Sequence, residues 1–85
     1  MAVSRFEDLV VWQKSQDLAV LIYIQFSLCK DYSFKDQIFR AAVSVSNNIA
    51  EGFERNSNAD FSRFLYISLG SVSEVRSMLY LSLRL

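Results

Sequence analysis

The chain has no proline and only two glycines, Gly52 and Gly70. These two residue types mark most of the tight turns between short strands, because one presets the turn dihedral and the other tolerates left-handed backbone. A sandwich or barrel needs such a turn roughly every 8–12 residues. A sequence so poor in turn formers is instead expected to run in a few long helices. The 85 residues allow one domain, residues 1–85, and no second. A hydrophobic share of 52% is too high for a disordered chain, which stays unfolded for want of apolar surface to bury.

The apolar residues recur in steps of three and four over three segments, which predicts helices over about 5–29, 34–55 and 58–84. Ser4 and Glu7 have the spacing of a capping box at the start of the first helix. That helix has three apolar stripes: Val11, Leu18, Ile22 and Cys29; Leu21, Ile24 and Leu28; and Trp12, Ala19, Tyr23 and Phe26. One core-facing stripe would suffice, so it is expected to be buried on more than one side. The second helix is expected to start at Ser33, to bury Phe34, Ile38, Ala41, Ala42, Val45, Ile49 and Phe53, and to stop near Gly52. The third is expected to be capped by Ser57, with Asp60 three residues on. Its main stripe is Phe61, Leu65, Leu69, Val72, Leu79 and Leu83, with Phe64, Val75 and Met78 beside it. Gly70 weakens a helix interior by roughly 1 kcal/mol relative to alanine. Ser68, Ser71 and Ser73 surround it, so Gly70 and Ser71, with Trp12, are the expected helix-contact positions.

Nine basic residues balance nine acidic ones. The chain therefore lacks the summed positive field of a phosphate-binding domain. Arg63 and Arg76 project to nearly opposite sides of a helix, and Arg55 and Lys35 sit beside Glu54 and Asp36, as on a mixed solvated surface. With no histidine there is no Ser-His-Asp or Cys-His chemistry, no zinc finger and no Glu-x-x-His di-iron site. No catalytic residue, metal site or cofactor is expected, nor a small-molecule substrate. Cys29 is alone and reads as a small buried hydrophobe in a reducing cytoplasm. The start, Met1 to Asp8, has no leader pattern, and the most apolar run, Leu18 to Ile24, is far short of the roughly 20 residues that span a bilayer. A soluble cytoplasmic chain with no membrane partner is expected.

Four stretches together resemble one family: Phe6-Glu7-Asp8-Leu9 with Trp12-Gln13-Lys14; Gln37-Ile38-Phe39-Arg40-Ala41-Ala42-Val43-Ser44; Asn48-Ile49-Ala50-Glu51-Gly52-Phe53; and Arg63 to Ser71 with Glu74. Their order and spacing are similar to the bacterial four-helix-bundle family of 23S rRNA intervening-sequence proteins, whose relatives include the accessory variability proteins of diversity-generating retroelements. The resemblance covers Phe6 to Leu85. Phe39 stands where the family usually has a basic residue, and Ser46 where it often has proline. The resemblance implies an antiparallel up-down bundle that self-associates, often as a homopentamer, in a non-enzymatic role. It also implies a fourth helix beyond Leu85, so the chain is expected to be cut short of it or natively short.

Within these stretches Arg40, Asn48, Glu51 and Glu74 are expected to form a polar network between the second and third helices, with Arg40 pairing a carboxylate. Two functions are in view. One is a homo-oligomeric scaffold or accessory factor, which follows from apolar stripes wider than one core face. The other is an RNA- or DNA-binding accessory protein, acting with rRNA or a reverse transcriptase, whose oligomer gathers Lys14, Lys35, Arg55, Arg63 and Arg84 into a basic surface.

Overall fold

In a computed structural model that describes residues 3–85, the chain is all-helical, with no strand among the described residues. Of the Met1–Asp8 start, residues 1–2 lie outside them. A 3₁₀ turn over Phe6–Asp8 leads into α1 (Val10–Gln25), α2 (Tyr32–Phe53) and α3 (Asn58–Ser82). The joints are short, so consecutive helices are antiparallel and run up, down, up. α2 packs against both α1 and α3, whereas no Cα of α1 comes within 8 Å of one in α3. The molecule is elongated, 45 × 20 × 16 Å.

The start of the chain departs from the expected cap. Ser4 caps nothing; Arg5 is extended, and α1 begins only at Val10, with Leu9 as its N-cap and no side-chain bond. Apolar docking overrides the local signal here. The turn at Phe6–Asp8 brings the Phe6 ring edge-on to Trp12 at 5.3 Å between centroids. Gln13 then donates its side-chain amide to the Glu7 carbonyl at 2.9 Å, and Arg5 lies near Glu7 and Asp8. Trp12 is thus half-buried against the entry turn.

α1 stops at Gln25, four residues before the expected end. The chain turns there so that Phe26 meets Phe34 of α2, ring centroids 5.7 Å apart. Cys29 falls in this turn, half-buried with its Sγ 3.7 Å from the Asp31 carbonyl, and is not a core residue. Asp31 takes the N-cap of α2, accepting from the Phe34 amide at 3.2 Å, two residues before the expected Ser33. Ser57 caps α3 as its spacing predicts, accepting from the Asp60 amide at 3.1 Å.

The core follows the stripe of α2. Ile38 and Ala42 are fully buried, and Ala41, Val45 and Ile49 nearly so. Ile22 of α1 and Val75 and Met78 of α3 close onto Ile38 and the two alanines. Small residues let the helices approach and polar ones tie them. Ser68 donates to the Val45 carbonyl, Ser71 to the Ser44 hydroxyl, and Gln16 to Ser46, each at 2.9 Å. On α3 the expected order of the stripes is reversed. Phe64, Ser68, Val75 and Met78 are the buried line, and Leu65, Leu69, Val72 and Leu83 are exposed. Both lines are apolar and lie about 100° apart on the helix, so periodicity could not choose between them.

Gly70 is exposed, and a methyl group there would meet nothing within 4 Å, so it is not a helix contact. The close approach is at Gly52. A methyl group there would lie 2.5 Å from Phe64 Cβ and 3.1 Å from the Phe61 ring.

Candidate functional site

Because α2 is shared and α1 and α3 stay apart, the two outer helices form the walls of a groove. At its upper end Gln25 and Phe26, at the close of α1, face Arg76, Leu79, Tyr80, Ser82 and Leu83, at the close of α3, across a cavity of about 730 Å³. This fixes which flank of each helix looks into the gap. On α3 it is the flank of Leu65, Leu69, Val72, Leu79 and Leu83, and on α1 that of Val11, Leu18 and Leu21. Leu21 is 64% exposed, Leu69 59% and Leu83 83%. The solvent side of α1 next to that flank is also apolar and open, with Val20 and Ile24 both more than half exposed. α1 itself buries only Ser15 and Ile22. The width of its apolar surface, expected to mean burial on several sides, is thus not satisfied within one chain. Contiguous apolar surface of this kind on a soluble protein marks a place where something binds.

Arg40 and Glu74 line one surface cavity between α2 and α3, and Arg40, Asn48 and Glu51 line another along α2, but no ion pair joins them among the described residues. Glu51 is paired locally, with Arg55 one turn on at 2.9 Å, and both are exposed. Glu74 accepts from the Gln37 side-chain amide across the α2–α3 contact, at 3.5 Å. Asn48 donates to the Ser44 carbonyl and hydroxyl on its own helix. Arg40 is exposed and makes no salt bridge among the described residues. The expected inter-helix ion pair is therefore absent, because each carboxylate finds a nearer partner in solvent-exposed positions. The serines carry the inter-helix bonding instead: Ser44, Ser46, Ser68 and Ser71. Serine at small-residue helix contacts was the available sequence signal.

The five candidate phosphate contacts divide between the two ends of the molecule. Lys14, Arg55 and Arg63 lie at the end holding the α2–α3 joint, and Lys35 and Arg84 at the other. Arg55 and Arg63 both rest on the buried Phe64 ring, at 4.9 and 4.7 Å from its centroid. Each also has a carboxylate, Glu51 and Asp60 respectively. Lys35 donates to the Ser27 carbonyl at 3.0 Å. Tyr66 and Arg63 are exposed, and Phe64 is core. No group of three His, Cys, Asp or Glu side chains among the described residues is placed to hold a metal ion. Among the described residues no helix is long and apolar enough to cross a membrane.

The family model described as 23S rRNA-intervening sequence protein matches residues 7–85. The chain belongs to this family. The match runs from the Phe6–Asp8 turn through all three helices, so the residues of the groove lie inside the family region. No curated protein and no solved structure matches the chain.

Proposed function

We propose that this member of the 23S rRNA-intervening sequence protein family is a non-enzymatic, cytoplasmic helical-bundle protein that self-associates and serves as a scaffold or accessory factor. The observation that supports this is the open apolar groove between α1 and α3, together with the second bare flank of α1 at Val20 and Ile24. A leucine taken out of water contributes about 1.5–3 kcal/mol, so covering several of them against other copies gives a gain of the same order as the roughly 4–15 kcal/mol cost of association. A pentamer is the assembly that the family resemblance implies.

Sedimentation at micromolar concentration tests the reading. The expected result is a closed oligomer with little monomer; a stable monomer overturns it. The double variant Leu21→Glu, Leu69→Glu places charges on both walls of the groove without touching the core. It is expected to weaken association by roughly a hundredfold or more, since a buried unpaired carboxylate is strongly disfavoured.

The alternative is binding to RNA or DNA by the assembled form. In its favour, Arg55 and Arg63 are held together on Phe64 at the same end as Lys14, so an oligomer would repeat that basic group. Structured RNA titrated at two salt concentrations distinguishes this reading. Phosphate contacts predict an affinity that falls steeply with salt, and absence of binding at low salt removes it.

A further inference from the structure

On the far side of α1 from the groove, the helix meets α2 around a second, smaller cavity of about 120 Å³. Its floor is aliphatic: Ile22 and Ile38, exposed to 5% and 0%. Its walls are aromatic, from Tyr23, Phe26 and Phe39. The Tyr23 and Phe39 rings are 5.0 Å apart between centroids and tilted by 52°, so neither ring hides the face of the other as a flat stack would. Phe26 is held from behind by Phe34. Asp36 stands at the rim and joins no salt bridge among the described residues. Lys35 also lines the cavity, but its ammonium is drawn to the Ser27 carbonyl at 3.0 Å, which leaves its methylene stem on the wall.

Aromatic faces present negative potential, and several of them around a small apolar cavity favour a cation whose charge is spread over methyl groups. An ordinary ammonium would lose its hydration there and find no acceptor on the floor. A methylated ammonium is poorly hydrated and needs none. The carboxylate at the rim adds a longer-range attraction. We propose that this corner of Tyr23, Phe26, Phe39 and Asp36 binds a methylated ammonium group, of the kind found on choline-type head groups or methylated lysine. Phe26 also lines the groove, but Tyr23, Phe39 and Asp36 do not, so the response of their side chains to a small cation reports on this corner rather than on self-association.

Choline chloride is the probe, titrated into the full chain while the ring resonances of Tyr23 and Phe39 are followed by NMR. The matched control is 3,3-dimethylbutan-1-ol, which has the same shape without the charge. Choline is expected to saturate the site, with the ring resonances moving, and to bind roughly three- to thirtyfold tighter than the alcohol, the range that cation–π attraction supplies. Phe39→Leu keeps the wall apolar but removes a ring and should abolish that preference. Asp36→Asn should weaken choline several-fold and leave the alcohol unchanged. Trimethyllysine in a short peptide, tested beside choline, separates a lysine source from a head-group source. Equal binding of choline and the alcohol, no saturable binding of choline, or a preference that survives Phe39→Leu would each overturn the proposal. Circular dichroism melts of both variants confirm that they remain folded.

Discussion

Gly52→Ala is expected to destabilise the protein by about 1–3 kcal/mol, the cost of overpacking a close contact. The usual expectation has the opposite sign, because alanine in a helix interior is favoured over glycine by about 1 kcal/mol. The contact decides the matter. The added methyl group would sit 2.5 Å from Phe64 Cβ, an atom fixed to the backbone of α3 that cannot swing aside. α2 and α3 must then separate at their shared end, which loosens Phe61 and Phe53, packed edge-on at 5.7 Å. Gly70→Ala is the matched control, since its methyl group meets nothing. It should raise stability by about 0.5–1 kcal/mol. In thermal unfolding each kcal/mol corresponds to about 4–8 °C for a chain of this size. Two alanines that shift the midpoint in the same direction would refute this account of the helix contact.

Ile38→Ala is expected to cost more, about 2–5 kcal/mol. Ile38 is wholly buried at the centre of α2, in the cluster where Ile22 of α1 meets Val75 and Met78 of α3. Ala41 and Ala42 beside it have no side chain long enough to refill the space, so a cavity remains. Domains are stable by roughly 0.05–0.15 kcal/mol per residue, so this one substitution removes a large share of the total. Urea unfolding of the purified variant gives the number. A loss below about 1 kcal/mol, the mean for ordinary substitutions, would mean that the core does not centre on this residue.

Much of this fold is legible from spacing alone. The stripe of α2 is buried from Ile38 to Ile49 as its steps of three and four predict, with Phe34 and Phe53 at its ends only half-buried, and Ser57 caps α3 through a bond its position foretells. The parts that are not legible depend on atoms distant in sequence. Ser4 and Glu7 have the right spacing for a cap, but the ring contact between Phe6 and Trp12 pulls the segment into a different turn. Gly52 reads as a helix stop, and only the neighbouring helix reveals it as the point of closest approach. On α3 two adjacent flanks are equally apolar, and the choice between them rests on where α2 lies. Glu51 was a candidate for a long-range ion pair, yet Arg55 one turn along satisfies it. The groove follows the same logic. Its leucines are plain in the sequence, but that they face a gap is known only once α1 and α3 stand on either side of α2.

The central position of α2 also sets the order in which the molecule comes apart. α1 meets α3 only through side chains at the Ile22 cluster and shields few of its own residues, whereas the α2–α3 hairpin shares most of the interior. Local opening costs least where few apolar contacts are lost, so α1 peels away while the hairpin persists, and its amides exchange with solvent first. Anything lodged between the two outer rods would bridge them and remove that weak seam, because a ligand that binds only the closed form stabilises it by mass action. Occupancy of the trough and the slowing of exchange along α1 are thus two readings of a single equilibrium.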